Sequence, residues 1–262
     1  MSLLPPDRLA RFARHIVLPE VGGVGQVALA SAHVVLVGCG GIGSPALQYL
    51  AAAGVGRFTL IDDDVVEASN LQRQTIFAEA DIGRAKVVAA ADWVRRFDAG
   101  LVVEAVQARI STGNAAALIP AGATLVLDGC DNFATRLAVS DACVAAGVPL
   151  VSAAVGRFQG QVAAFAGHLA GEACYRCFVG DAFDGDGCDT CAADGVLGAF
   201  VGLTGAFAAM AAVRVVLAGA DVAGALGDPQ WGRLALIDGL APGVRMMTIP
   251  RDPGCAGCAV KV

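Results

Sequence analysis

The chain has 262 residues, enough for one full-sized hydrophobic core, and it carries a formal charge of −6 at pH 7 with no run of Lys or Arg. That charge argues against nucleic acid as a partner, because no basic surface is available to bind phosphate backbones. Hydrophobic residues make up 56% of the chain and aromatic ones only 6%, which predicts an interior of small aliphatic side chains. Residues 1–8 lack the charged start and apolar core of a signal peptide, so we expect a cytoplasmic protein with reduced cysteines and no membrane partner.

Short apolar stretches alternate with helical ones over the first half of the chain. The predicted helices are 7–18, 44–53 and 85–97, and the predicted strands are 33–37, 57–61, 101–106, 124–127 and 149–153. Asp81 is the expected N-cap of the third helix. Strands that alternate with helices predict a parallel α/β sheet with helices on both of its faces.

The pattern changes after Gly156. Residues 158–166 predict a pair of strands, a loop rich in Gly, Asp and Cys follows at 180–191, and further strands are expected near 234–237 and 244–249. Between them, the segment 196–218 is apolar enough to suggest a membrane span, but Arg214 and closely spaced small residues favour a buried core helix. No repeat and no long linker divides the chain, so we expect one domain.

A glycine loop lies between the first predicted strand and the helix that follows it. It contains Gly38, Gly40, Gly41 and Gly43, a pattern that lets a backbone approach phosphates while the helix amino terminus stabilises their charge. Asp62, about twenty positions later, is placed to accept hydrogen bonds from ribose hydroxyls. These features fit an NAD-dependent oxidoreductase as well as an ATP-using enzyme.

Two positive charges follow the loop and separate these alternatives. Arg73 lies in the segment 69–74, and Lys86 opens the helix at 85–97. A dinucleotide oxidoreductase has no need of them, whereas a triphosphate that releases pyrophosphate does. The alternative, a solvated helix face, is less consistent with their spacing from a phosphate loop.

Asp131 and Asn132 follow the predicted strand 124–127, with Arg136 one helical turn further on. The carboxyl ends of parallel strands line the ligand crevice, and Mg²⁺ prefers carboxylate and phosphate oxygens. Asp131 is therefore a candidate magnesium ligand. A helix cap is the alternative role for this Asp-Asn pair.

Three cysteine pairs have CxxC spacing, namely 174/177, 188/191 and 255/258. A tetrathiolate zinc site needs two of them. Spacing favours the first with the second, as a local knuckle, whereas the first with the third forms a clamp between the middle of the chain and its tail. The residues leave both open.

Together these residues resemble the MoeB/ThiF (HesA/MoeB/ThiF) family, bacterial relatives of ubiquitin-activating enzymes. The resemblance covers nearly the whole chain and rests on Arg11-x-x-Arg14, the glycine loop, Asp62-x-Asp64, Ser69-Asn70-Leu71-Gln72-Arg73-Gln74, Lys86, Asp131-Asn132-x-x-x-Arg136, Cys174-Tyr175-Arg176-Cys177, Cys191-x-x-x-Gly195 and Cys255-x-x-Cys258. Phe12 and His15 stand where Tyr and Gln are commoner, at positions that carry no phosphate chemistry.

The resemblance implies ATP- and Mg²⁺-dependent adenylation of the C-terminal Gly-Gly carboxylate of a small ubiquitin-like sulfur carrier (MoaD- or ThiS-like). Pyrophosphate is released, and molybdopterin, thiamine and related sulfur-transfer routes all use such enzymes. The implied fold is a Rossmann-like parallel sheet continued by antiparallel strands and a four-cysteine zinc clamp. Within one domain over 1–262, residues 1–155 form the nucleotide-binding half and 156–262 the carrier-binding and zinc half.

The family also implies roles for individual residues. Asp62 would bind the ribose, Asp131 would hold Mg²⁺, and Arg14 would reach the phosphates of the partner subunit's site, which implies a homodimer. The phosphates would be bound by Asn70, Arg73 and Lys86. The remaining members of the implied nucleotide site are Gly38, Gly40, Gly41, Gly43, Asp64, Ser69 and Asn132. The implied catalytic residues are Arg14, Arg73, Lys86 and Asp131, with Cys191 as a further candidate.

For zinc the resemblance favours Cys174 and Cys177 with Cys255 and Cys258, which leaves Cys191 free. Some family members use a cysteine there for a persulfide or acyl linkage with the carrier, and others do not need it, so both roles stay open. No rhodanese-like segment follows the last cysteine pair, so we expect sulfur to come from a separate sulfurtransferase or cysteine desulfurase. The remaining thiols, Cys39, Cys130 and Cys143, are expected in the core.

Two rival functions remain for comparison. An NAD-dependent oxidoreductase explains the glycine loop and Asp62 but leaves Arg73, Lys86 and the cysteine pairs without a role. A non-catalytic, carrier-binding scaffold is less consistent, because every nucleotide residue that the family needs is present.

Overall fold

The computed structural model describes residues 4–180, 195–220, 222, 224–241 and 243–259. Its centre is one eight-stranded sheet with the order β3-β2-β1-β4-β5-β6-β7-β8. The strands are β1 (His33–Val37), β2 (Arg57–Ile61), β3 (Val102–Val106), β4 (Leu125–Asp128), β5 (Leu150–Gly156), β6 (Gln159–Phe165), β7 (Arg233–Asp238) and β8 (Gly243–Thr248).

The first five strands are parallel. Strands β2 and β3 are added on one side of β1, and β4 and β5 are added on its other side, so the strand order reverses between β1 and β4. Val34 of β1 pairs with Phe58 of β2 on one side and with Leu125 of β4 on the other. Such a switch point opens a crevice at the carboxyl ends of the two strands, where ligands bind in open α/β sheets. The predicted parallel sheet is confirmed.

The remaining strands continue the sheet in antiparallel fashion. Residues 158–166 were predicted to be a strand pair, but they contribute the single strand β6. Its partner is β5, which extends to Gly156 and pairs there with Gln159. The turn between the two strands is made at Arg157, which has a positive φ of 47°. The prediction did not include the part of β5 that extends beyond its parallel neighbour β4 and pairs only with β6.

Helices cover both faces of the sheet. Within the described residues they are α1 (Pro6–Arg11), α2 (Ala13–Ile16), α3 (Gly22–Ser31), α4 (Gly43–Ala53), α5 (Lys86–Phe97), α6 (Ala115–Leu118), α7 (Phe133–Ala146), α8 (Tyr175–Val179) and α9 (Gly198–Ala218). One core joins α3, α4, α5 and α9 to alternate strand residues such as Val34 and Leu36. The core on the other face joins α6, α7 and α8 to Val35 and Val37.

Helix α9 is long and apolar enough to cross a membrane by length and composition, and it is the one such helix among the described residues. More than half of its apolar window is buried inside the fold. It packs against α4 at Gly205, where an added Cβ would lie 2.4 Å from Cγ of Pro45. The predicted core helix is thus confirmed, and its small residues permit the close approach.

Two local predictions were wrong. The helix expected over 7–18 is two short helices, α1 and α2, interrupted at Phe12, whose buried ring packs against Gly54. Asp81 does not cap α5, which begins after Ala85 without a side-chain cap. Instead the Asp81 carboxylate accepts a hydrogen bond from the N–H of Ala78 at 3.0 Å and forms an ion pair with Arg84.

Candidate nucleotide site and cysteine cluster

The glycine loop lies at the switch point, between β1 and α4. Gly38 adopts a φ of +87°, and a Cβ added at Gly43 would lie 2.0 Å from the carbonyl oxygen of Gly38. The loop is therefore closed so tightly that Gly43 excludes any side chain. Helix α4 has eleven residues, and its amino end, which carries a positive partial charge, lies at this loop.

Asp62, directly after β2, is bound to the backbone of the loop. Its Oδ2 accepts a hydrogen bond from the N–H of Cys39 at 2.7 Å, and its Oδ1 accepts one from the N–H of Asp64 at 2.8 Å. Burial raises the pKa of Asp62, while the N–H groups and nearby Lys86 oppose that rise. Each carboxylate oxygen retains a lone pair for a ribose hydroxyl.

Lys86, the first residue of α5, has a buried side chain with an exposed fraction of 7%. Its Nζ donates to Oδ2 of Asp64 at 2.8 Å. Both residues line a polar cavity of about 130 Å³ together with Val65, Glu67 and Asn70. The fold thus holds an ammonium group next to an open polar space beside the carboxyl end of β2.

The segment 69–74 packs onto the glycine loop. A Cβ built at Gly41 would lie 3.6 Å from Cδ of Arg73, and one built at Gly40 would lie 3.5 Å from Nε2 of Gln74. Nη1 of Arg73 donates to the carbonyl of Ser69 at 3.1 Å. The predicted phosphate ligands are therefore brought to one place, although they come from well-separated parts of the sequence.

Asp131 and Asn132 differ in what the structure shows for them. Asp131 is exposed in the loop after β4, and no hydrogen bond or ion pair of its side chain occurs within the described part of the chain. Asn132 is the N-cap of α7, where its side chain accepts from the N–H of Thr135 at 2.9 Å. The alternative role of a helix cap is confirmed for Asn132, and its contact with nucleotide stays a prediction.

Arg136 forms a buried cluster that the sequence reasoning missed. Its Nη1 donates to Oδ2 of Asp128 at 3.1 Å and to Oγ of Ser152 at 3.0 Å, and all three residues are buried. Burial raises the pKa of the nearby Tyr175, and Arg136 opposes that rise. The motif contained Arg136, but nothing local in sequence reveals that Ser152 or Tyr175 meets it.

Arg14 lies exposed on α2, and it has no hydrogen bond or ion pair with any of the residues that the structure describes. No contact in the described part of the chain therefore assigns Arg14 to the predicted phosphate site of its own subunit. Its predicted role in a partner subunit's site remains a prediction.

Four cysteines meet at one point. The Sγ atoms of Cys174, Cys177, Cys255 and Cys258 all lie within 4.8 Å of one another. Cys174 lies 3.5 Å from Cys255, and Cys177 lies 3.5 Å from Cys258, sulfur to sulfur. Four sulfurs at this spacing match the donor set of a structural zinc site. The clamp implied by the family is thus the arrangement that the fold assembles, while Cys188 and Cys191 lie outside the described residues.

The thiols of this cluster differ in acidity. Burial raises the pKa of Cys174, and it raises the pKa of Cys258 to about 11. Burial acts in the same direction on Cys177, but hydrogen bonds from the backbone at Asp252 and Cys174 outweigh it and lower the pKa of Cys177. The pKa values of Cys174 and Cys258 are thus shifted against ionisation, and a bound cation would stabilise their thiolates.

The other described cysteines lie apart from this cluster. Cys39 and Cys143 are buried, as predicted, and burial raises the pKa of each. Cys130 is only half-buried, so its prediction as a core residue is wrong in part. The reason is that it lies in the loop after β4, outside the strand that packs into the core.

The fold and this site define a Rossmann-type α/β protein with a glycine loop at the switch point. The model of the ThiF family matches residues 12–257, and the chain belongs to that family.

Curated relatives extend over nearly the whole chain. Molybdopterin-synthase adenylyltransferase of Escherichia coli K12 is 40% identical, over 98% of this chain and 99% of its own length. Sulfur carrier protein adenylyltransferase of Thermus thermophilus is 39% identical, over 96% and 91%. Adenylyltransferase and sulfurtransferase MOCS3 of Bos taurus is 44% identical over 98% of this chain, but the chain spans only 56% of that relative's length.

Solved structures agree on the fold. Escherichia coli MccB in complex with MccA-N7isoASN has a TM-score of 0.80 at 21% identity, covering 95% of this chain and 74% of that one. The chain therefore shares the architecture of that protein.

Proposed function

We propose that the protein is an adenylyltransferase that uses ATP to activate the C-terminal Gly-Gly carboxylate of a small ubiquitin-like sulfur carrier. The observation that carries this proposal is the placement of Arg73 against Gly41 and of Lys86 near Asp62, whose carboxylate binds the glycine loop at Cys39. The names of the curated relatives, which are adenylyltransferases of molybdopterin synthase or of sulfur carriers, support it.

In the proposed reaction a carboxylate oxygen of the carrier attacks the α-phosphorus of ATP. The bond between the α-phosphorus and the bridging oxygen breaks, so a carrier acyl-adenylate and pyrophosphate are formed. No general base is required, because the carboxylate is already ionised at pH 7. Arg73 and Lys86 stabilise the charge that develops on the phosphates, and the amino end of α4 adds its positive partial charge.

Metal ions fit two places in this scheme. The exposed carboxylate of Asp131 is suited to hold Mg²⁺, which supplies charge neutralisation at the phosphates. The four clustered thiols are suited to hold a structural zinc ion. In this proposal zinc stabilises the fold and takes no part in the chemistry.

The assembly and setting belong to the same proposal. Arg14 is exposed and forms no hydrogen bond or ion pair with the described residues, which suits an arginine that completes the site of a second subunit in a homodimer. The protein is proposed to be cytoplasmic, to serve molybdopterin, thiamine or related sulfur-transfer synthesis, and to depend on a separate sulfurtransferase or cysteine desulfurase for sulfur. Cys191 is retained as a candidate for a covalent step.

Carrier-dependent exchange between ATP and labelled pyrophosphate, in the presence of Mg²⁺, tests the function. Each candidate carrier of the same genome is assayed intact and without its terminal Gly-Gly. We expect exchange with an intact carrier and none with its truncated form. Carrier binding without exchange would instead indicate a scaffold, and quenching of nicotinamide fluorescence on titration would indicate an oxidoreductase.

A further inference from the structure

Arg136 is a buried cation with an unusually complete set of partners. Besides Asp128 and Ser152, its guanidinium donates to the carbonyl oxygen of Ala153 at 2.8 Å and to that of Cys130. Ser152 also donates to Asp128 at 3.2 Å, which closes the network. A buried ion pair adds little net stability over well-packed apolar residues, so its value lies in the geometry that it imposes.

The geometry in question is that of the loop after β4. Oδ1 of Asp128 accepts from the N–H of Cys130 at 2.9 Å, and the carbonyl of that same residue accepts from Arg136. On the other side, the Asn132 side chain caps α7. The backbone is thus held immediately before and immediately after Asp131, whose own side chain stays exposed.

Arg136 also lies near α8, the short helix that begins directly after Cys174. Tyr175 follows Cys174 in α8, and it lines the same small cavity as Arg136 and Ser152. Its ring packs edge-on against Phe165 at 5.9 Å and against Phe178 at 6.1 Å between centroids. Arg136 therefore lies next to both α8, which contains Cys177 and begins directly after Cys174, and the loop that carries Asp131.

We propose that Arg136 is a positioning residue, which holds Asp131 in the orientation that binds the divalent cation of the ATP complex and links that loop to α8. This inference rests on the proposed function, because it takes the role of Asp131 from there. An arginine is suited to this role because its planar guanidinium donates to several acceptors in fixed directions. A lysine has the same charge, but its ammonium group lacks this planar arrangement of donors.

The test is the variant Arg136→Lys, in which the charge remains and the fork is lost. Binding of Mn²⁺ to protein saturated with a non-hydrolysable ATP analogue is measured by electron paramagnetic resonance. We expect the Mn²⁺ affinity to fall about tenfold, the range seen when a supporting partner of a metal ligand is removed. The Mg²⁺ concentration for half-maximal pyrophosphate exchange should rise by a similar factor, while exchange at saturating Mg²⁺ recovers most of the wild-type rate.

Arg176→Lys is the matched control. Arg176 belongs to the same helix α8, but its fork binds Asp141 of α7 at 2.8 Å through each of two nitrogens. Because this fork binds α7 and not the backbone beside Asp131, the variant should leave the Mn²⁺ affinity at its wild-type value. Zinc content and melting temperature are recorded for both variants, so that a general loss of structure is recognised.

A second variant keeps the test decisive if Arg136→Lys does not fold. Ser152→Ala removes one partner of Arg136 and of Asp128, and it should weaken Mn²⁺ binding about two- to fivefold. Wild-type Mn²⁺ affinity in the folded variants overturns the positioning role. Absence of exchange in the wild-type protein would overturn the proposed function instead. The Mn²⁺ affinities of the variants could still be compared, because that measurement does not depend on exchange.

Discussion

Lys86 shows what the fold does to a single charge. An isolated lysine on a helix surface is normally solvated, but this side chain is buried and ends in a polar cavity beside Asp64. Burial of an ammonium group with one exposed carboxylate as its partner is unfavourable unless a further anion arrives. In the proposed function incoming phosphates supply that anion, so the residue is suited to binding ATP.

We expect Lys86→Met to reduce carrier-dependent pyrophosphate exchange about 10²–10³-fold, because one charge that stabilises the transition state is lost. Arg84→Gln is the control, since Arg84 lies two residues earlier and pairs with Asp81 and Asp92 outside the cavity. It should keep nearly the full rate. Equal loss in both variants would point to destabilisation of α5 rather than to phosphate binding.

At the residue scale, the sequence predicted which residues form the candidate site better than it predicted the contacts between them. A tight loop requires glycines, and a site for phosphates requires charged residues such as Asp62 and Lys86 at fixed spacings. These residues can therefore be recognised from the sequence alone. For Asn132 the sequence offered two roles, and the start of α7 confirms the capping contact. Arg136 acquires its meaning from Ser152, which lies on a different strand.

At the scale of elements, strands were predicted well, because buried parallel strands are short apolar runs whose ends are marked by Gly or Asp. Helix limits were predicted less well. The expected first helix breaks at Phe12, since its ring is buried next to Gly54, a contact that apolar periodicity does not encode. Helix α3 was not predicted at all, because its Gly-rich sequence has little amphipathic character.

The packing of α9 on α4 gives a prediction for two glycines of one helix. A Cβ at Gly205 would lie 2.7 Å from the carbonyl oxygen of Ile42 in the glycine loop, whereas a Cβ at Gly202 meets nothing within 4 Å. We expect Gly205→Ala to destabilise the protein by about 1–3 kcal/mol and Gly202→Ala to stabilise it by about 0.5–1 kcal/mol. Chemical denaturation of both variants checks this, and equal effects would contradict the packing.

The amino-terminal helix gives a prediction for pH. Burial raises the pKa of Asp98, but its hydrogen bond from Arg8 and nearby Arg11 outweigh burial and lower it below the ordinary value. A lowered folded-state pKa means that this interaction stabilises the fold above the unfolded pKa of about 3.9 and is lost as pH falls through the folded value. The stability difference between wild type and Asp98→Asn should therefore be constant from pH 7 to about 5 and shrink below about 4. Urea denaturation over this range measures it, and a difference independent of pH would refute it.

At the scale of the whole molecule, the cysteine cluster joins parts of the chain that are 81 residues apart. A metal that closes so long a loop restricts the unfolded chain and adds its binding free energy to folding. We expect Cys177→Ser to lose zinc and to lower the melting temperature by roughly 10 °C.

The paired measurement uses Cys188→Ser. That variant should retain about one zinc per chain by atomic emission, as expected for a tetrathiolate site built without this thiol. Loss of zinc from Cys188→Ser alone would restore the local knuckle that the spacing first favoured.

Homodimer formation gives a second prediction at this scale. If Arg14 completes the partner's site, Arg14→Ala and Lys86→Met should each be inactive alone, yet active when co-expressed. Random pairing puts one intact site in half of the dimers, so we expect about a quarter of wild-type exchange activity. Two affinity tags isolate the mixed dimer, in which one site of two is intact, so about half of the wild-type activity is expected after isolation. An inactive mixed dimer would contradict a role for Arg14 across the interface.

By itself, the sequence determined the parallel sheet and the residue types of the predicted nucleotide site. These follow from local requirements: glycines for a tight loop, apolar runs for buried strands, and charges at strand ends. Its motifs also showed the resemblance to the family, and that resemblance implied the antiparallel extension. Only the tertiary structure decided which cysteine pairs meet and that Arg136 links the Asp131 loop to α8. Those contacts depend on strand order and on the packing of α7 and α8, so residues far apart in sequence become neighbours for reasons that no local pattern contains.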